Sequence, residues 1–427
     1  MMGFLKVGGR IVSAVRRWGR APHFRIPRLW ALLLAILLMG PWFALAVGAG
    51  VRYLRGSAVP PREAGGSGRL AAPQPGPWGD LEVLRIVTEP PEDLAVACLR
   101  QESGTWFFRD LTREQLTALL KSAGLTDSQR DRLCASATGA ADINGIVLHP
   151  DANAVREMSP EARAVVYSVL AKDPLNTAQN EPSRCPIARS SEWLVSEDVS
   201  AETKSLARRL CYPVGKALLF SDTRLVLNTL PTAAQRIEAL KMLARQPTLL
   251  VKVRIRRNSN IAALAEYWGQ GNRRKDVEPI LKSLTRVPGG ASLDVVHLLP
   301  SLPRKLLYTY PAQPQTAGAP RRDCHWTSLN FWNDPPDDRL VDAAYAVGVL
   351  LTAYDRVQGP YSFGDVIVLM QDDGVAAHSA VYLADDIVFT KNGRGLTSPW
   401  LLMGLADVQA YYERDSPVTV RAYRKKG

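Results

Sequence analysis

Cys324 and His378 are the two side chains in this sequence best placed to do chemistry together. Cys324 stands in Asp323-Cys324-His325-Trp326-Thr327, after Pro320 and a polar stretch and before the apolar residues Leu329 and Phe331. That order predicts the first turn of a helix, where unpaired N–H groups and the helix dipole favour a thiolate over a thiol. His378 stands in Ala376-Ala377-His378-Ser379-Ala380-Val381-Tyr382, which reads as a strand. A thiolate attacks a carbonyl carbon, and an imidazole takes and returns the proton. The two residues are 54 apart in sequence, so the fold must bring them together. His325 reads as a pocket residue rather than the base, because the next residue on a helix points about 100° away. A metal held by Cys324, His325 and His378 lacks the paired spacings of such sites, so no metal and no cofactor is expected.

The imidazole needs a third group to orient it. Thr390, Lys391 and Asn392 on the following strand are the candidates. A three-residue turn Ala384-Asp385-Asp386 pairs Leu383 with Ile387 and sets His378 opposite Asn392, with Thr390 on the same face. A two-residue turn Asp385-Asp386 puts Lys391 there instead. An amide oxygen accepts the imidazole N–H and an ammonium cannot accept at all, which favours Asn392.

From about Tyr308 to Tyr423 the chain resembles the NlpC-type papain-like cysteine peptidases of bacterial cell walls. The shared features are Asp323-Cys324 opening a helix, Phe363-Gly364-Asp365-Val366-Ile367-Val368 as the first strand, and His378-Ser-Ala-Val381-Tyr382-Leu383 as the histidine strand. Tyr308 or Tyr310 resembles the family's tyrosine upstream of the thiol. The family usually has Ser-Gly after the cysteine, where this chain has His325-Trp326. The resemblance implies a thiol nucleophile with a base and an orienting group, here Cys324, His378 and, by the strand phasing above, Asn392; Tyr308, Tyr310, Asp323 and Trp326 are expected as substrate-binding or oxyanion support. It also implies an amide substrate in peptidoglycan stem peptides.

The rest of the chain must deliver and position that pair. Nine basic residues and no acid fall in residues 1–55, leaving 44 basic against 41 acidic residues in the body. A net charge of +12 gathered in one arm beside an apolar run argues for membrane topology and against nucleic acid. Leu29 to Val51 gives 23 uncharged residues, long enough for a transmembrane helix behind a basic cytoplasmic arm at 1–28. A single-pass inner-membrane protein with its body in the periplasm is therefore expected. The alternative is secretion after signal-peptide cleavage near Ala44-Leu45-Ala46. Export permits two disulfides among Cys98, Cys134, Cys185 and Cys211, with Cys324 left over.

Residues 52–79 are rich in Pro and Gly and read as a linker. Residues 80–300 read as a mainly helical domain, with helices near 112–120, 159–170, 201–211, 232–245, 260–268 and 276–285 and one strand at 249–255. Residues 301–427 read as a helix packed on a small antiparallel sheet. The expected fold class is α+β, with a transmembrane helix, a helical middle domain and a papain-like C-terminal domain. The function expected is an envelope cysteine amidohydrolase or peptidase acting on peptidoglycan or another envelope substrate. A non-catalytic envelope scaffold and a thiol acyltransferase are the alternatives.

Overall fold

Short strands run through the middle of the chain where its sequence predicts helices. A computed structural model of the chain describes residues 73–99, 104–312, 321–413 and 417–427. Between Asp80 and Asp294 it places β1 (Asp80–Thr88), β2 (Trp106–Phe108), β3 (Thr138–Ala140), β4 (Gly145–Leu148) and β5 (Ser183–Pro186). Then come β6 (Tyr212–Val214), β7 (Ala217–Phe220), β8 (Gln246–Ile255) and β9 (Ala291–Asp294). They pair antiparallel into three sheets, ordered β1-β8-β9, β2-β4-β3 and β5-β7-β6.

The expected helical middle domain is thus corrected to a mixed one. Seven of these strands are three or four residues long, too short to display a period of two between helices. Helices do occupy Arg113–Ser122, Pro160–Leu170, Ala201–Leu210, Ala233–Ala244, Ile261–Trp268 and Arg274–Leu284. Thr112 and Gln115 form a reciprocal capping box on the first, and Ser159 caps the second ahead of Pro160. Among the described residues no helix is long and apolar enough to cross a membrane, and the span expected at 29–51 lies outside them.

The C-terminal sheet is also larger than expected. It has six strands: β10 (Tyr354–Val357), β11 (Val366–Met370), β12 (Ala376–Ala384), β13 (Ile387–Lys391), β14 (Trp400–Gly404) and β15 (Thr419–Lys425). They lie in the order β10-β15-β11-β12-β13-β14, every neighbour antiparallel. All five residues of β11 are buried, because both faces of the sheet are covered. Val366, Val368, Val381 and Phe389 face the side of the helix Cys324–Leu329, whose Trp326 and Leu329 join the same core. Ile367, Ala380, Tyr382 and Val388 face the helix Leu405–Tyr412 through Leu405, Val408 and Tyr411. Ahead of the sheet come a 3₁₀ turn at Asp338–Val341 and a helix at Ala343–Ala353, with Asp342 capping the latter.

The first of these cores crosses residue 300 without a break. Leu249, Val251, Val253 and Trp268 pack in one cluster with Trp326, Phe363 and Leu402. Thr248 Oγ1 donates to the Leu402 carbonyl at 2.9 Å and accepts from the Leu402 N–H at 3.1 Å, stitching β8 to β14. Tyr267 likewise donates its hydroxyl to the Leu383 carbonyl at 2.7 Å.

Candidate active site

Cys324 is the first residue of its helix, and Asp323 caps that helix by accepting the Trp326 N–H at 2.9 Å. The cap fixes where the helix begins and so sets Cys324 in its first turn. Thr327 and Ser328 donate their hydroxyls back to the Asp323 and Cys324 carbonyls, at 2.7 and 2.8 Å. Trp400 on β14 donates its indole N–H to Thr327 Oγ1 at 3.0 Å and holds the helix against the sheet. Cys324 is buried, with 7% of its surface exposed.

Two imidazoles meet the thiol. Burial alone would push it up, but the charges and hydrogen bonds of His325 and His378 outweigh burial and hold it well below the ordinary thiol range. His378 and Ser379 are neighbours on β12 and face opposite sides of the sheet. Ser379 Oγ meets His325 Nδ1 at 3.0 Å on the side of the cysteine helix. On the other side the His378 ring stacks on Tyr412, with centroids 4.2 Å apart and planes 15° from parallel. His378 is fully buried.

The hydrogen bonds around His378 form a directed relay. Its Nε2 lies 2.8 Å from Thr390 Oγ1, and the Thr390 hydroxyl donates to Asn392 Oδ1 at 3.3 Å. Asn392 Nδ2 points to Met403 Sδ at 3.0 Å, which leaves the amide oxygen for Thr390. Having given its proton to Asn392, the Thr390 oxygen accepts from His378 Nε2–H. The neutral imidazole therefore carries its proton on Nε2 and its lone pair on Nδ1. Nδ1 is buried and has no hydrogen-bond partner among the described residues.

The hairpin joining β12 to β13 explains this phasing. Asp385 and Asp386 both take positive φ, 46° and 59°, and form a two-residue turn that pairs Ala384 with Ile387. A bulge at Leu383 then shifts the register, so Tyr382 pairs Val388 and Val381 pairs Phe389. The short turn and the bulge together give the facing that a three-residue turn alone would have given. Thr390 consequently touches His378, and Asn392 stands one hydroxyl further back.

Lys391 points the other way and is fully buried. Its Nζ donates to the Gly393 carbonyl at 2.6 Å and lies 5.6 Å from the centre of the Trp400 ring. Burial lowers its pKa to about 8, although Cys324, Glu181 and Asp323 favour its charge.

The supporting residues expected around the thiol have other partners. Tyr308 donates its hydroxyl to the Leu249 carbonyl at 2.6 Å, and Tyr310 donates to the Ala244 carbonyl at 3.4 Å. Trp326 is a core residue with no exposed surface, its indole N–H bonded to Asp338 at 3.1 Å. Asp365, from the Gly-Asp strand, is 1% exposed and pairs with Arg424 through two bonds of 2.8 and 2.7 Å. All five cysteines are free thiols, which corrects the disulfides expected among the first four. Burial pushes Cys185 and Cys211 up to about 12. Among the described residues no group of three or more His, Cys, Asp or Glu is arranged to hold a metal ion.

His325, Thr390 and Tyr412 are the site residues that sequence reasoning missed or ranked too low. His325 and Thr390 were within reach, since His325 sits in the cysteine motif and Thr390 among the three candidates on the strand after His378. Tyr412 lies on a helix that no motif marks. A cavity of about 930 Å³, lined by none of Cys324, His325, His378, Thr390, Asn392 and Tyr412, takes in Arg321, Gly395, Leu396 and Thr397 from the C-terminal part. Trp106, Gln179, Glu181 and Phe220 line it from the middle part. Lys391 ties the loop at 393–395 to the site, and Arg321 bridges to Glu181 at 3.1 Å.

No protein-family model, no curated protein and no solved structure matches the chain.

Proposed function

We propose that this protein is a cysteine amidohydrolase of the envelope, with Cys324 as nucleophile and His378 as base and acid. The observation that carries the reading is the relay from His378 Nε2 through Thr390 to Asn392, which leaves Nδ1 as the free basic nitrogen, together with a thiol held low by His325 and His378. The Cys324 proton passes to Nδ1 and the sulfur attacks the amide carbon, forming a C–S bond while the carbonyl π pair moves to oxygen. The pair returns, the C–N bond breaks, and Nδ1–H protonates the leaving nitrogen. Water then attacks the thioester, giving its proton to Nδ1 and expelling the thiolate. The unpaired N–H groups of the helix that Cys324 opens are the nearest donors for the developing oxyanion.

The substrate follows from the resemblance to NlpC-type peptidases: a peptide bond in peptidoglycan stem peptides. The cavity along Arg321 and residues 395–397 has the size for an extended polar chain. The envelope setting rests on the basic arm and the apolar run of residues 29–51. Purified sacculi incubated with wild type and with Cys324→Ala test the reading. Release of muropeptide fragments by wild type alone is expected, and equal release by both overturns it.

A thiol acyltransferase is the second reading, favoured by the burial of Cys324, which limits access of water to a thioester. A trapped fatty-acyl mass on the Cys324 peptide selects it, and its absence together with muropeptide release selects hydrolysis. The lowered thiol supports either reading over a non-catalytic scaffold.

A further inference from the structure

The cavity of about 930 Å³ touches none of the reacting groups, yet two short stretches of chain tie it to them. Arg321 stands three residues before Cys324, and Gly395 stands three residues after Asn392. Three residues span at most about 11 Å even when fully extended, so both walls lie within that reach of the site. Lys391 draws the second path in, its Nζ meeting the Gly393 carbonyl at 2.6 Å and the Gly395 carbonyl at 3.5 Å.

Three side chains of the cavity keep polar atoms unused. Gln179, on the helical turn Thr177–Asn180, is 6% exposed, and its amide has no hydrogen-bond partner among the described residues. A polar group so deeply buried is ordinarily hydrogen-bonded. Arg321 Nη1 donates to Glu181 Oε2 at 3.1 Å, which leaves Glu181 Oε1 and the other guanidinium nitrogens without a partner among the described residues. Asp222, the other acid on the wall, is already paired with Arg163 at 2.9 Å. Trp106 and Phe220, both buried, give the cavity an apolar wall.

The spacing of these charges selects the ligand. A carboxylate and an ammonium that meet an arginine and a glutamate already in contact must sit on one carbon, as in a free α-amino acid. The two ends of a peptide are too far apart. A side-chain amide, with an acceptor and two donors, complements an amide of the ligand. The aromatic wall suits the methylene groups between the two. We infer that the cavity is a binding site for a chain in which a free α-amino-acid group is joined by an aliphatic spacer to an amide. In assigning that chain to the substrate the inference rests on the hydrolase reading. It makes Gln179, Glu181 and Arg321 determinants of specificity remote from the bond that breaks.

The test is a ligand-observed NMR titration of the full chain carrying Cys324→Ala, which binds without turnover. The probe is Nε-acetyl-lysine, in both enantiomers. For a ligand of this size a Kd on the order of 1 mM is expected for at least one of them. Adding Glu181→Gln or Arg321→Gln is expected to weaken binding roughly tenfold, and adding Gln179→Leu about 2- to 12-fold. Nα,Nε-Diacetyl-lysine, which lacks the ammonium, is expected to bind equally to the parent and to Glu181→Gln, because ligand and variant lose the same contact. Each variant is checked for native circular dichroism. The two surface variants decide the matter if Gln179→Leu does not fold.

No binding of either enantiomer overturns the inference, as does the same affinity in every folded variant. Binding of N,N′-diacetylchitobiose in place of the lysine probe overturns it too, and assigns the cavity to sugar. Its failure is separable from that of the hydrolase reading. Probe binding beside intact sacculi removes the hydrolase and leaves the site, and muropeptide release without probe binding removes the site alone.

Discussion

His378 Nε2 lies 2.8 Å from Thr390 Oγ1, and that contact assigns the basic nitrogen of the site. The hydroxyl works as a translator between an amide that accepts and an imidazole that must donate. Its proton goes to Asn392 Oδ1, so its oxygen is left for His378. Rotating or removing the hydroxyl frees the imidazole to adopt the other tautomer, with its proton on the nitrogen that should face sulfur.

Thr390→Val keeps the shape of the side chain and removes the acceptor. The expected loss is roughly 10- to 100-fold in kcat, below the 10²–10⁴ typical of a general base itself, with KM little changed. Thr390→Ser restores most of the rate. Steady-state kinetics on a defined muropeptide checks both, and a Val variant as active as wild type would remove Thr390 from the relay.

The thiolate–imidazolium pair predicts a plateau of stability against pH. In the unfolded chain the thiol titrates near 8.5 and the imidazole near 6.5. His325, raised to about 9, contributes stability fully present below about 6.5 and lost as pH rises through about 9. Cys324, lowered, contributes stability that is fully present above about 8.5 and lost as pH falls through its folded value. From about 6.5 to 8.5 the two proton differences cancel. The difference in urea midpoint between wild type and Cys324→Ser should therefore be flat in that window and shrink on both sides. A difference that changes steadily through neutral pH contradicts the pairing.

Gly364 is needed for its backbone. Its φ is +89°, and an added Cβ would fall 2.0 Å from Trp332 Cζ2. Gly364→Ala is expected to cost on the order of 2–5 kcal/mol from the left-handed conformation and the overlap together. Urea denaturation measures it, and an unchanged midpoint would mean that the turn before β11 relaxes freely.

Gln179 is 6% exposed, lines the cavity and offers it a side-chain amide with no hydrogen-bond partner among the described residues. Gln179→Leu is expected to raise KM about 2- to 12-fold, the worth of one hydrogen bond of 0.5–1.5 kcal/mol, while kcat stays within twofold. A fall in kcat with constant KM would place the substrate elsewhere.

The helix start at Cys324 and the strand at His378 were legible in the sequence, because a cysteine before an apolar helical run and a histidine in a β-like run are local signals. The identity of the orienting residue was not. It depends on a bulge at Leu383 that compensates a two-residue turn, and side-chain alternation along β12 and β13 records the outcome without showing the cause. His325 was set aside on helical geometry, which treats successive side chains as diverging. At the first turn two flexible side chains can still converge on one another, and Ser379 on β12 holds this one there. The middle of the chain misled for a different reason. Three-residue strands such as Trp106–Phe108 and Tyr212–Val214 are defined by the partners they pair with, which local sequence does not contain.

The insertion of β15 between β10 and β11 makes assembly of the site a late event during synthesis. β11 cannot take its full set of neighbours until Thr419–Lys425 has been made, and β11 is the strand against which β12 lays His378. Through most of translation the nucleophile is thus an ordinary thiol on an unfinished sheet. The closing strand arrives only when more than 400 residues are already in place. A chain truncated before β15 would carry Cys324 beside a sheet that lacks one neighbour of β11.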